Sequence, residues 1–88
     1  MPTAFIRHRV RDYAAWRRVY DEFTETHPSG LPVAPAVYRA VDDPNDVLVI
    51  HRFGDATEIQ PWLDDEDRRK AMLESGVMTP PQIVIALD

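Results

Sequence analysis

The chain has 88 residues, a formal net charge of −5 and no cysteine. A chain this short has a modest core, so we expect residues 1–88 to fold as a single domain. The absence of cysteine excludes disulfides and thiolate metal sites, and the acidic balance argues against a nucleic-acid partner. The sequence has no stretch near the roughly 18 apolar residues of a membrane span and no signal-peptide pattern, so we expect no membrane association and a cytoplasmic location.

The first part of the chain predicts a strand followed by an amphipathic helix. Residues 3–10 alternate loosely between two faces, as a half-buried strand does. The face expected to be buried carries Ala4, Ile6, His8 and Val10. Asp12 is a good N-cap for a helix that runs to about residue 26. One face of this helix carries rings at spacings of three and four, which are Tyr13, Trp16, Tyr20, Phe23 and His27.

A proline-rich segment and a hairpin come next. Three prolines between residues 28 and 35 exclude regular structure there. We predict a strand over residues 36–41, a turn at residues 42–46 and a second strand over residues 47–53.

The following part of the chain predicts two helical segments. Asp55 is a candidate N-cap for the first segment, which Pro61 should kink or end after about a turn and a half. The second segment should run over residues 66–75, with Asp64 or Asp65 as its cap.

Residues 82–87 predict the last strand, so the element order is β-α-β-β-α-β. This order is the ferredoxin-like α+β pattern, an antiparallel sheet with its helices on one face. The strands at 47–53 and 83–87 are nevertheless apolar on both faces, so the uncovered sheet face should be a partner surface. The simplest partner is a second copy related by a two-fold axis. We therefore expect a homodimer in which two sheets pack face to face as a dimeric α+β barrel.

Three stretches are similar to the antibiotic biosynthesis monooxygenase-like superfamily: residues 6–16, the hairpin turn at 42–46, and Trp-Leu-Asp-Asp at 62–65 before a charged helix. The resemblance implies a βαββαβ protomer, a barrel-like dimer, and a ligand pocket between each sheet and its own helices. Members of that superfamily include cofactor-free oxygenases of polyketide phenols, haem-degrading enzymes, isomerases and cyclases.

The resemblance places Trp62 where the oxygenases and the haem-degrading members have a functional tryptophan. The haem-degrading members also have a histidine ten residues later, where this chain has Met72. Their first-strand asparagine is missing as well, because this strand offers Arg7, His8 and Arg9. The resemblance therefore argues against haem degradation, and we expect no cofactor.

Two histidines and a tyrosine are the candidate catalytic residues. We interpret the first and third strands as parallel neighbours, with His8 and His51 at a similar depth. A hairpin turn made of residues 43–46 would set Tyr38 opposite His51 and put all three on one sheet face. His51 and His8 would then act as acid–base groups, and Tyr38 would donate a hydrogen bond to a developing oxyanion. The alternative is a satisfied polar cluster beneath the helices or at the dimer seam.

The candidate substrate-binding residues are aromatic: Trp62, Trp16, Tyr20 and Phe23. Their helical spacing is equally typical of an ordinary core. The opposite sheet face should carry Arg7, Arg9 and Arg52. These arginines are candidates for binding a carboxylate or for pairing with acids across the dimer. A metal site made of His8, His51 and a carboxylate lacks close ligand spacing, so we predict no metal.

Taken together, the pattern favours a small cofactor-independent enzyme of monooxygenase, cyclase or isomerase type. Its substrate would be an aromatic or polyketide-like small molecule bound between the sheet and the helices. The alternative is a non-catalytic, ligand-binding or stress-associated homodimer with the same pocket. A third hypothesis is an interaction protein whose sheet face pairs with a different chain.

Overall fold

The computed structural model describes residues 2–26 and 33–87, with side chains described for residues 2–23 and 36–87. The elements follow the predicted order: β1 (Pro2–Arg9), α1 (Tyr13–Thr26), β2 (Val33–Arg39), β3 (Asp46–Arg52), α2 (Ile59–Asp64), α3 (Glu66–Glu74) and β4 (Gln82–Leu87). The four strands form one antiparallel sheet in the order β2-β3-β1-β4, which confirms the ferredoxin-like α+β class. Of the described helices, none is long and apolar enough to cross a membrane. The predicted helix residue His27 and residues 28–32 lie outside the described residues.

β1 and α1 bury the faces that their sequence patterns predict. Ala4 and Ile6 of β1 are buried, and so are Trp16 and Tyr20 of α1. Asp12 caps α1, because its side chain accepts a hydrogen bond from the Ala15 N–H at 3.0 Å. The two elements therefore meet through apolar and aromatic side chains.

β3 lies between β1 and β2 and is antiparallel to both, so the prediction that β1 and β3 run parallel is wrong. The crossover through α1 makes β2 parallel to β1, and the hairpin then returns β3 between them in the opposite direction. His8 pairs with Val47, whereas His51 pairs with Ala4. The two histidines share one sheet face, as predicted, but their Cα atoms stand four positions apart along the strands, about 13 Å.

The hairpin register places Tyr38 away from His51, which contradicts the predicted pairing. Tyr38 pairs with Leu48 and is 57% exposed on the opposite face of the sheet. The connection is longer than a four-residue turn, because β2 already ends at Arg39 and the tight turn is closed by the Asp46 N–H on the Asp43 carbonyl. The observed register differs from the predicted one by an odd number of residues, because Tyr38 pairs with Leu48 instead of His51. A shift of this kind moves every side chain of a strand to the other face of the sheet.

β2 begins at Val33 rather than at residue 36, so part of the proline-rich segment joins the sheet. Val33 pairs with Arg52, and the register shifts between Val33 and Ala36. β2 is also an edge strand, where a proline such as Pro35 is tolerated because only one side of the strand must donate to the ladder. The expectation of no regular structure there is therefore wrong for residues 33–35.

The second helical region breaks at Asp65 and not at Pro61. Asp55 caps a 3₁₀ turn, Ala56–Glu58, that passes into α2. Pro61 is the third residue of α2, where an N–H has no acceptor within the helix. Asp65 has an extended backbone, and its side chain accepts from the N–H groups of the first turn of α3. The predicted capped second segment is confirmed.

Arg7 and Arg9 lie on the face opposite the helices, as predicted, but they pair within the chain. The guanidinium of Arg7 donates to both carboxylate oxygens of Asp46, at 3.0 and 2.6 Å. This pairing holds the pKa of the Asp46 carboxyl below its ordinary value. Arg9 lies 3.5 Å from Asp43. Pairing of these arginines with acids across a dimer stays a prediction.

β4 is an edge strand with apolar side chains exposed on both faces. Ile83 and Ile85, on the helix side, are 39% and 44% exposed, and Val84 on the other side is 60% exposed. The helices therefore leave a groove along β4 instead of covering it.

Replacing Gly76 by alanine should lower the free energy of unfolding by about 1–2 kcal/mol. Gly76 ends α3 with a φ of +98°, and an added Cβ would lie 3.2 Å from the Cβ of Arg11. Urea unfolding of Gly76→Ala measures the effect. The control is Gly54→Ala, because a Cβ there would meet no heavy atom within 4 Å. Equal stability losses in the two variants would contradict this explanation.

Candidate functional site

A row of ring side chains lies between α1 and the sheet. His8 meets Trp16 edge-on with 5.5 Å between ring centroids, and Trp16 stacks on Tyr20 at 5.1 Å. Beyond Tyr20, the ring of His51 meets Trp62 edge-on at 4.7 Å. The candidate site residues thus come together with one exception, because Tyr38 is exposed on the other face of the sheet.

These rings surround a small apolar cavity. The residues that line it are Ile6, His8, Trp16, Tyr20, Phe23, Val49, His51, Trp62, Arg68 and Met72. Its volume is about 30 Å³, enough for one or two water molecules. Side chains therefore fill most of the space between the sheet and α1 in which a substrate pocket was expected.

Three buried ring nitrogens of the residues that line this cavity have no hydrogen-bond partner among the described residues: His8 Nδ1, Trp16 Nε1 and His51 Nδ1. All three side chains are at least nine-tenths buried. Leaving such a group unsatisfied costs roughly 1–3 kcal/mol each. Three such atoms in neighbouring residues are unusual, because buried polar groups of folded proteins are nearly always hydrogen-bonded.

His51 makes a buried hydrogen bond to another side chain that lines the cavity. Its Nε2 lies 2.8 Å from the Tyr20 hydroxyl oxygen. Burial, with a smaller effect of the Arg68 charge, lowers the pKa of His51 to about 4, and burial raises the pKa of Tyr20 to about 12. Both groups are therefore neutral at pH 7. If the Tyr20 O–H donates to Nε2, the imidazole proton is on Nδ1, which has no partner among the described residues.

His8 is the second neutral imidazole of the site. Burial is the main cause that lowers its pKa, and the charge of Arg68 adds to the effect. Its Nδ1 has no hydrogen-bond partner among the described residues, and the residue lines the cavity. A neutral imidazole of this kind can accept a proton from a ligand.

A much larger groove adjoins the cavity on the side of α2, α3 and β4. Its volume is about 690 Å³. The groove and the cavity share four lining residues, Ile6, His8, Arg68 and Met72. Space for a drug-sized molecule therefore lies next to His8 and Arg68, and His51 lines only the inner cavity.

Arg68 is the site residue that the sequence analysis missed. Its Nε donates to the Trp62 carbonyl at 3.0 Å and its Nη2 to the Leu63 carbonyl at 3.1 Å. The guanidinium also lies 4.3 Å from the centre of the Trp62 ring. The only sequence signal was an arginine six residues after Trp62, within a run of three basic residues. That run does not reveal which of the three basic side chains reaches the carbonyls of α2.

Metal ligation has no support among residues 2–26 and 33–87. These residues contain no group of three or more histidine, aspartate or glutamate side chains placed to hold an ion. The imidazoles of His8 and His51 are on one face but separated by Trp16 and Tyr20, as described above.

The sequence matches no protein-family model and no curated protein. Solved structures do match over nearly the whole chain. One is described as an antibiotic biosynthesis monooxygenase, with a TM-score of 0.75, 14% identity, and coverage of 100% of this chain and 98% of that one. The chain has the fold of the antibiotic biosynthesis monooxygenases.

Two further structures with this monooxygenase fold come from Streptomyces. A mutant of SnoaB, a cofactor-independent oxygenase from Streptomyces nogalater, has a TM-score of 0.77, 14% identity, and coverage of 99% of this chain and 91% of that one. A monooxygenase from the gene ActVA-Orf6 of Streptomyces coelicolor, in complex with Nanaomycin D, has a TM-score of 0.73, 14% identity, and coverage of 99% and 86%. The resemblance noted in the sequence is confirmed at the level of the fold.

The free energy of unfolding should fall as the pH is lowered from about 6.5 to about 4. Over this range the unfolded chain binds a proton on residue 51 that the folded chain does not, because the pKa of folded His51 is about 4. The loss should be roughly 3 kcal/mol. Urea unfolding at a series of pH values measures it.

The control for this pH dependence is His51→Gln, which removes the titrating group. The difference in stability between the wild-type protein and this variant should shrink toward pH 4. Parallel pH profiles would show that His51 is not responsible.

Proposed function

We propose that this protein is a small cofactor-independent enzyme of monooxygenase, cyclase or isomerase type, acting on an aromatic or polyketide-like small molecule. The observation that carries the proposal is the set of three unpartnered ring nitrogens around one apolar cavity. The fold supports it, because SnoaB is described as a cofactor-independent oxygenase and the ActVA-Orf6 monooxygenase holds Nanaomycin D.

The three reaction types share a first step, the removal of a proton from a phenol or an α-carbon. His8 is the group we assign to accept this proton. Its imidazole is neutral, its Nδ1 is unpartnered, and it lines both the cavity and the open groove. A base placed in this way typically contributes 10²- to 10⁴-fold to the rate.

His51 is the group we assign to stabilise the developing oxyanion. With the Tyr20 O–H donating to Nε2, the Nδ1–H of His51 is a free donor beside the cavity. Its pKa of about 4 keeps the ring neutral, which suits a hydrogen-bond donor better than a proton acceptor. Tyr20 acts through His51 as a positioning residue.

The separation of the two histidines favours a substrate with more than one ring. Their Cα atoms stand about 13 Å apart along the strands, so the two imidazoles do not act on the same atom. A fused-ring molecule bound in the groove lies next to His8 and reaches His51 only when side chains of the inner cavity move. Trp62, which contacts His51 and Phe53, would form a wall for its rings.

A second candidate function is ligand binding without catalysis. The observation that favours it is the small size of the inner cavity, about 30 Å³, which leaves His51 accessible only after side chains move. Binding of an aromatic molecule without any turnover would support this alternative over an enzyme.

Replacing His8 by glutamine should lower kcat/KM by about 100-fold or more, because the proton acceptor is lost. His51→Gln should lower kcat with a smaller effect on KM, because its donor acts on charge that develops during the reaction. The measurement is turnover of a panel of anthrones and naphthols, followed by oxygen uptake and by deuterium exchange in heavy water.

The control for these variants is Tyr13→Phe, a change on α1 at a ring that does not line the cavity. Its turnover should equal that of the wild-type protein. Full activity in both histidine variants would refute the assignment.

We also propose that the protein is a homodimer through the sheet face opposite the helices. The supporting observation is the partial exposure of apolar residues there, with Phe5, Leu48 and Ile50 half-buried and Val84 60% exposed. Sedimentation equilibrium should give twice the chain mass of 10.1 kDa. Ile50→Lys, in the middle of this face, should give a folded monomer, whereas a wild-type monomer would contradict the proposal.

A further inference from the structure

The guanidinium of Arg68 forms no ion pair with a carboxylate in the described part of the chain, although the nearby charge of Asp65, the cap of the same helix, partly offsets its own. Two of the five N–H groups of its guanidinium donate, and both acceptors are backbone carbonyls, those of Trp62 and Leu63. The Nη1 group donates to none of the described residues. This leaves the end of the guanidinium with donors for a further acceptor.

Arg69, the next residue, has a different environment. It also lines the groove, but its Nη2 lies 3.3 Å from the carboxylate of Asp64. The Asp64 carboxylate accepts from Gln60 as well, at 3.1 Å. The other ionisable group of the groove, His8, is neutral at pH 7. The groove therefore holds one unpaired positive charge, that of Arg68.

The walls of the groove are apolar around this charge. They include Leu63, Met72, Leu73, Val77, Met78 and Ile83. The volume of about 690 Å³ exceeds that of a two-ring or three-ring aromatic molecule. The Trp62 ring lies 4.3 Å from the guanidinium carbon, so Arg68 is held between an aromatic face and two carbonyls.

We propose that the groove between α2, α3 and β4 binds an aromatic carboxylate, with Arg68 binding its carboxylate group and the apolar walls holding its rings. A planar guanidinium with unused donors matches a carboxylate in both charge and geometry. The inference deepens the proposed function, because it names the charge class of the substrate and the place where the substrate binds.

The test compares two probes that differ only in charge, 2-naphthoate and 2-naphthamide, by ¹H–¹⁵N NMR titration of the wild-type protein at pH 7. We expect 2-naphthoate to bind at least about 10-fold more tightly. We also expect its chemical-shift changes to fall on the amides of α2, α3 and β4. This comparison needs no variant, so it does not depend on the stability of an altered chain.

Variants then test whether the charge of Arg68 causes the preference for 2-naphthoate. Arg68→Gln should remove the preference for 2-naphthoate over 2-naphthamide, and Arg68→Lys should keep part of it. Lys70→Gln is the matched control, because it removes a positive charge of α3 at an exposed residue that does not line the groove. It should leave the preference within about 2-fold of the wild-type value.

The inference is overturned by equal affinity for the two probes, by a loss of the preference in Lys70→Gln as large as in Arg68→Gln, or by shift changes confined to the opposite sheet face. Concentration-dependent shifts of the groove amides without any probe would show that a second copy occupies the groove, which also overturns it. All these results concern binding. They leave the turnover tests of His8 and His51 untouched, so either proposal can fail without the other.

Discussion

The packing of Trp16 between α1 and the sheet is the interaction on which the site depends. The indole is completely buried, contacts His8 on one side and stacks on Tyr20 on the other. It therefore sets the spacing between His8 and the Tyr20–His51 hydrogen bond. This packing also leaves the indole N–H without a partner among the described residues, which is costly for a buried donor. An arrangement optimised for stability alone would place apolar side chains at these positions.

Burial and the charge of Arg68 act in the same direction on the two histidines. Both lower the pKa of His8 and of His51, so the imidazoles stay neutral at physiological pH. Burial also lowers the pKa of Arg68 itself, although a guanidinium remains protonated in proteins. A bound anion would offset the charge of Arg68 and make each imidazole a better proton acceptor. The same residue can thus bind the substrate and prepare the base for it.

Local signals in the sequence predicted the elements and most of the site. The spacing of Trp16 and Tyr20 identified the buried face of α1, and the caps Asp12 and Asp65 are where composition placed them. Those features depend on a few neighbouring residues, so they survive whatever the rest of the chain does. The prediction that His8 and His51 share one sheet face is also confirmed, although it was drawn from a parallel pairing of β1 and β3 that is wrong.

The failures share a dependence on contacts that are distant in sequence. The position of Tyr38 depends on the length of the connection between β2 and β3. This connection contains the turn from Asp43 to Asp46 and is longer than the four residues that the prediction assumed. The direction of β3 relative to β1 follows from the crossover topology. Arg68 reaches the cavity because the helix breaks at Asp65 and brings the first turn of α3 back onto the carbonyls of α2. None of these outcomes is encoded by a periodic pattern.

The most direct test of this account is the protonation state of the two cavity histidines. A long-range ¹H–¹⁵N correlation spectrum of the imidazole rings at pH 6 reports charge and tautomer for each histidine. The account predicts a neutral His51 with its proton on Nδ1 and with Nε2 accepting from Tyr20. A charged His51 at that pH, or a neutral ring with its proton on Nε2, would contradict the role assigned to His51 as a free donor in the cavity.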